Sequence, residues 1–157
     1  MPPGAVSSSS PSTSQLPRIV VVIPARYAST RLPAKPLAEI AGRPMIEHVY
    51  RRAAATPGVD AVVVATDDRR IAAAVEAFGG TAQMTDAGHQ TGSDRIAEVA
   101  RTLACEILVN VQGDLPLIEP EMIAEVIAPL AADPSLTMAT LRQRIAAAEE
   151  YVSPHVV

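Results

Sequence analysis

Residues 18–37 read RIVVVIPARYASTRLPAKPL. An apolar run ends at Pro24, and three cations, Arg26, Arg31 and Lys35, then fall within ten positions, with Ser29 and Thr30 between them. A guanidinium grips phosphate oxygens as a fork, and a lysine ammonium acts as a mobile point charge. Hydroxyls and backbone N–H groups add neutral donors, so the loop suits a triphosphate. It is not a Walker loop, because GxxxxGK[ST] is absent, nor a dinucleotide fingerprint, because GxGxxG is absent. Composition alone reads as a solvated loop with three surface cations. Its position directly after a strand favours the ligand.

Two further stretches could do chemistry. In VQGDLP (111–116) a strand ends at a glycine that permits a tight turn, and Asp114 follows it. A carboxylate there suits Mg²⁺, which is usually held by one or two carboxylates plus substrate phosphates. The plain reading is a turn aspartate. In GHQTGSDR (88–95) a polar, glycine-containing stretch precedes a helix. Either it contacts a base or ribose, or Ser93 or Asp94 caps the helix with Arg95 on the surface. His89 has no acid–base partner close in sequence and reads as an exposed loop histidine. His48, beside Glu47 in a helical stretch, reads as structural.

The elements that must carry these loops alternate. Arg18–Pro24, Asp60–Thr66, Thr81–Thr85, Glu106–Gln112 and Thr137–Leu141 read as strands. Between them lie helical patterns. Pro44 suits a first helical position, with Met45, Ile46, Val49, Tyr50 and Ala53 on one face. Asp67-Asp68 reads as a cap for a helix bearing Ile71, Val75 and Phe78. Asp94–Leu103, Glu121–Ala131 and Ile145–Tyr151 complete the set. Strands alternating with helices predict an α/β fold: a three-layer, mainly parallel sheet with helices on both faces. Ligands in such sheets bind outside the carboxyl ends of the strands, which is where Ala25–Lys35, Thr66–Asp68, Asp86–Arg95 and Gly113–Pro116 fall.

The chain has 157 residues, enough for one domain, and its hydrophobic content is 48% with only 3% aromatic. The core must therefore be built from Ala, Val, Ile and Leu. A net charge of −4 argues against a broad nucleic-acid surface. The single cysteine, Cys105, excludes an internal disulfide and reads as a small buried core residue. Residues 1–17 hold six serines, four prolines and no charge, and read as a disordered tail without signal-peptide character. No apolar run approaches the ~20 residues of a membrane span. A soluble, cytoplasmic protein is expected.

Taken in order, IPARYASTRLPAKPL, VATDD, HQTGSDR and VNVQGDLPLI resemble the 3-deoxy-manno-octulosonate cytidylyltransferases, or CMP-Kdo synthetases. The resemblance spans residues 18 to 157. It implies a nucleotide-diphospho-sugar transferase-like, Rossmann-like fold and transfer of CMP from CTP to Kdo with release of pyrophosphate, for lipopolysaccharide. By resemblance, Arg26, Arg31 and Lys35 hold the triphosphate, and Ser29 and Thr30 line the same loop. Asp114 binds Mg²⁺. Thr66, Asp67, Gln90, Gly92 and Ser93 lie near the cytosine or ribose, and Gln112 faces the sugar. Lys35, Arg26 and Asp114 carry the catalysis, with no dedicated protein base. Leu115 stands where the family usually has an acidic residue. The family continues beyond position 157, with most sugar contacts, a second metal-binding Asp and much of a homodimer surface there, so this chain is expected to hold the CTP half. The rival readings are another sugar-acid cytidylyltransferase, of the CMP-sialic acid type, and a non-catalytic CTP-binding fragment.

Overall fold

The computed structural model describes residues 18–28 and 33–142. The tail at 1–17 and the helix expected at Ile145–Tyr151 lie outside them.

The most apolar stretch, IVVVIPA, forms β1 (Ile19–Ala25), and Val21, Val22 and Ile23 are fully buried. A strand buried on both faces reads as a continuous β-branched run rather than an alternation. A single 3₁₀ turn (Lys35–Leu37) follows the first loop. The two-residue strands β2 (Glu39–Ile40) and β3 (Arg43–Pro44) form a hairpin. Ala41 (φ 50°) and Gly42 (φ 75°) are both left-handed at its tip, as a two-residue hairpin turn requires. Then come α1 (Met45–Ala54), β4 (Ala61–Thr66), α2 (Arg69–Ala77), β5 (Ala82–Met84), α3 (Gly92–Ala100), β6 (Ile107–Asn110) and α4 (Pro120–Ala132).

The main sheet is parallel, in the order β5-β4-β1-β6. Alternate residues of β1 feed two cores. Ile19, Val21, Ile23 and Ala25 pack with α1, α2 and α4 through Ile46, Val49, Ile71, Val75, Ile123 and Ile127. Val20 and Val22 pack with Ile96 and Val99 of α3. Each fully buried aliphatic side chain contributes about 1.5–3 kcal/mol. Right-handed crossovers explain why α3 alone takes the second face: it carries the chain back past β1 to β6, against the direction of the two crossovers before it. Carboxylates tie down the strand starts, since the Ile19 N–H donates to Asp60 at 2.7 Å and the Arg18 N–H to Glu106 at 2.5 Å.

Several details differ from the sequence reading. Pro44 belongs to the hairpin and flanks α1, which starts at Met45. Thr137–Leu141 is not a strand. It runs beside β6 and α4, lining with them a cavity of about 460 Å³, but makes no ladder. Its apolar residues suit a strand, yet a strand needs a partner edge in register. Cys105 is half-buried rather than buried, and desolvation pushes its thiol pKa up. Asp68 caps α2, accepting the Arg70 N–H at 2.9 Å. Its pKa is brought down to about 2, chiefly by the Arg70 guanidinium that also donates to it. No helix among the described residues is long and apolar enough to cross a membrane.

Candidate functional site

The order β5-β4-β1-β6 reverses the direction of chain travel at β1. On one side the chain moves outward to β4 and β5; on the other it returns to β6. The carboxyl ends of β1 and β6 therefore flank a topological switch point, where open α/β sheets bind ligands. The segments leaving these two strands carry Arg26 and Lys35, and Gln112 and Asp114.

Arg26 is exposed immediately after β1, and its Nη1 donates to the Gln90 carbonyl at 3.1 Å. The Ala34 N–H donates to the Tyr27 carbonyl at 2.9 Å, closing the base of the first loop. Ser29, Thr30 and Arg31 lie outside the described residues. Ala34 is left-handed (φ 59°), an unfavourable conformation for alanine, and it turns the chain into the 3₁₀ turn that begins with Lys35. Lys35 Nζ donates to Asp114 Oδ2 at 2.7 Å, with side chains 36% and 51% exposed. Two candidates 79 residues apart in sequence thus meet across the cleft.

Glycines allow this closeness. A Cβ at Gly113 would lie 2.9 Å from the Pro24 carbonyl oxygen, and one at Gly92 would lie 3.3 Å from Pro24 Cγ. The end of β1 is therefore held between the chain leaving β6 and the start of α3. Gly113→Ala is expected to force these backbones apart. A loss of about 1–3 kcal/mol in urea unfolding and weaker CTP binding should follow.

The remaining candidates, Gln112 after β6 apart, follow the ends of β4 and β5. Thr66 is fully buried, and its hydroxyl accepts the Asp68 N–H at 3.2 Å. Asp67 accepts from Arg95 Nη2 at 2.8 Å. Gln90 contributes its carbonyl to Arg26, while its side-chain amide donates to the Gly88 carbonyl at 3.1 Å. Gly92 opens α3, and Ser93 is exposed in its first turn. Gln112 is exposed and donates to Asn110 Oδ1 at 2.9 Å.

The cap of α3 is Thr91, not Ser93 or Asp94. Thr91 and Asp94 form a reciprocal capping box, which helps hold the Asp94 carboxyl below its usual range. Arg95 is fully buried rather than on the surface. His89 is not a free loop histidine: its Nε2 lies 2.5 Å from Glu98 Oε2. His48 is structural as expected, its Nε2 lying 2.8 Å from the Ile40 carbonyl. Sequence reasoning missed Arg95 and Glu98, and also Tyr27, whose ring is covered by the Arg70 guanidinium at 3.3 Å. Arg70 is itself clamped to Asp68 at 2.6 Å.

The carboxylate at the cleft is the half-exposed Asp114, paired with Lys35. No cluster of three or more His, Cys, Asp or Glu that could hold a metal ion occurs among the described residues. That rules out a protein-built cage at these residues. A half-exposed carboxylate such as Asp114 is the kind of single protein ligand that Mg²⁺ usually takes alongside phosphate and water.

The cytidylyltransferase family model matches residues 20–157. The 3-deoxy-manno-octulosonate cytidylyltransferase of Geobacter metallireducens is 59% identical over 140 residues, covering 89% of this chain and 55% of that protein. A solved structure of CMP:2-keto-3-deoxy-manno-octonic acid synthetase complexed with CTP is 50% identical, with a TM-score of 0.75 over 76% of this chain and 49% of that one. A cytidylyltransferase from Leptospira borgpetersenii shares the fold at 22% identity, with a TM-score of 0.68 over 75% of this chain and 50% of its own. The chain spans about half the length of the curated relatives it matches. A mainly parallel α/β sheet whose loops converge on one switch point, matched by the family model along nearly its whole described length, leads to one assignment: the chain belongs to the cytidylyltransferase family.

Proposed function

We propose that this chain is the nucleotide-binding part of an enzyme that transfers CMP from CTP to 3-deoxy-manno-octulosonate, releasing pyrophosphate. The observation that carries the reading is the Lys35–Asp114 pair at the switch point. It sets a cation from one loop against a carboxylate from the other across the cleft. The names of the similar proteins and the CTP complex of a similar structure support the choice of nucleotide and sugar.

In-line displacement at a phosphorus needs charge neutralisation and alignment more than covalent chemistry. Arg26 supplies a fixed fork toward phosphate oxygens, and Lys35 a mobile charge. Without ligand, Lys35 and Asp114 neutralise each other. A partly exposed pair is worth only about 0–1 kcal/mol, so it opens at little cost, freeing Nζ for phosphate and the carboxylate for a cation. Asp114 is the residue that would hold Mg²⁺, with Asn110 and Gln112 close by in sequence. When bound, the ion would offset the negative charge of the triphosphate. Gln112, exposed two residues before Asp114, would meet the incoming sugar. A cytoplasmic location fits the use of free CTP.

A CTP titration beside a pyrophosphate-release assay, both in Mg²⁺ with a panel of sugar acids, tests this reading. CTP binding by this chain is expected, with release dependent on Kdo when the remainder of the enzyme is present. Release with a sialic acid instead points to the rival synthetase. Binding without release leaves a nucleotide-binding part only, and no binding overturns the proposal.

A further inference from the structure

Arg95 lies in the first turn of α3 with no exposed surface. Its Nη2 donates to Asp67 at 2.8 Å, and its Nη1 donates to the Thr85 hydroxyl and, at 3.5 Å, to the Asp86 carbonyl. One turn later, Glu98 accepts the Asp86 N–H at 3.0 Å and meets His89 Nε2 at 2.5 Å. These contacts hold the Glu98 carboxyl below its usual range. Thus α3 grips the loop that precedes it at Asp86 and at His89. The next residue, Gln90, gives its carbonyl to Arg26 Nη1 at 3.1 Å. A continuous path runs from a buried helix face to the exposed guanidinium after β1.

A buried cation is a poor choice for stability alone, because an apolar side chain of similar volume avoids its desolvation. Here the Nε of Arg95 is buried without a partner as well. What an apolar residue could not do is join Asp67, Thr85 and Asp86 at one point.

We propose that Arg95 and Glu98 are positioning residues for nucleotide binding. They fix residues 86–91, and the Gln90 carbonyl aims the Arg26 guanidinium at the phosphates. This rests on the reading of Arg26 as a triphosphate ligand. An arginine held in one orientation before binding loses less side-chain freedom on contact, an advantage of about three- to tenfold in affinity.

The test is a double-mutant cycle on the 157-residue chain, titrating CTP and, separately, inorganic tripolyphosphate in Mg²⁺. Glu98→Gln keeps the side-chain shape on a partly exposed helix face, and Arg95→Lys keeps the buried charge. Each should weaken both ligands about three- to tenfold in the parent chain and less than twofold in an Arg26→Ala background. A merely structural role would give the same loss in both backgrounds, and that result overturns the proposal. So does parent-like affinity in both variants, or a loss confined to CTP, which would place the effect on the base. If Arg95→Lys does not fold, Glu98→Gln alone decides. Should Arg26→Ala leave both affinities unchanged, it is the reading of Arg26 itself that fails.

Discussion

In the full-length enzyme, replacing Lys35 by alanine is expected to slow pyrophosphate release by about 10²–10³-fold, the usual cost of removing one preorganised donor from developing charge. The ammonium approaches the cleft from a rigid base. Pro36 behind it is buried, and the Ala34 N–H is tied to the Tyr27 carbonyl at 2.9 Å. The substitution also strips Asp114 of its partner at 2.7 Å. The partly exposed pair contributes little to stability, so Lys35→Ala should unfold within about 1 kcal/mol of the parent. Lys35→Arg should restore part of the rate, because the charge returns but the fork cannot follow the phosphate as a point charge does. Steady-state kinetics beside an unfolding curve separate the outcomes. A parent-like rate in a folded Lys35→Ala protein would remove Lys35 from the mechanism.

The second large effect is on stability. Arg95→Met should cost about 3–5 kcal/mol, because it leaves Asp67 without its cation in a site only 19% exposed. It also leaves the Thr85 hydroxyl and the Asp86 carbonyl without their donor. For a domain this size the melting temperature should fall by roughly 6–20 °C. Adding Asp67→Leu should recover part of the loss, since the bare carboxylate then disappears. Calorimetry of the single and double variants decides. A drop below about 1 kcal/mol in the single variant, with no recovery in the double, would mean that the pair is not the anchor described above.

Much of this was legible in the sequence, for physical reasons. Runs such as IVVVI and AVVVAT are buried on both faces, so apolar character alone identified the strands. The rule that ligands meet the carboxyl ends of strands then placed Lys35 and Asp114 near each other although they lie 79 residues apart. Their direct pairing was not readable, because register and loop shape fix it. The cap of α3 was misplaced because Thr91, Ser93 and Asp94 are all competent caps. The Thr91-x-x-Asp94 spacing of a capping box was the available signal. Arg95 was assigned to the surface because it is charged. Yet it stands four residues before buried Val99 and next to Ile96, so helical spacing already put it on the inner face. Its partner Asp67 lies 28 residues away on another element and left no local trace. His89 met the same difficulty with Glu98, nine residues on across a loop and two helical turns. Thr137–Leu141 has strand-like composition but pairs with no strand among the described residues, which propensity cannot report.

The most direct measurement is a crystal structure of the chain with CTP and Mg²⁺. The triphosphate is expected between the Arg26 guanidinium and Lys35 Nζ, with the Lys35–Asp114 pair opened and the Asp114 carboxylate on the metal. Phosphates bound elsewhere, with that pair still closed and Arg26 turned to solvent, would contradict it.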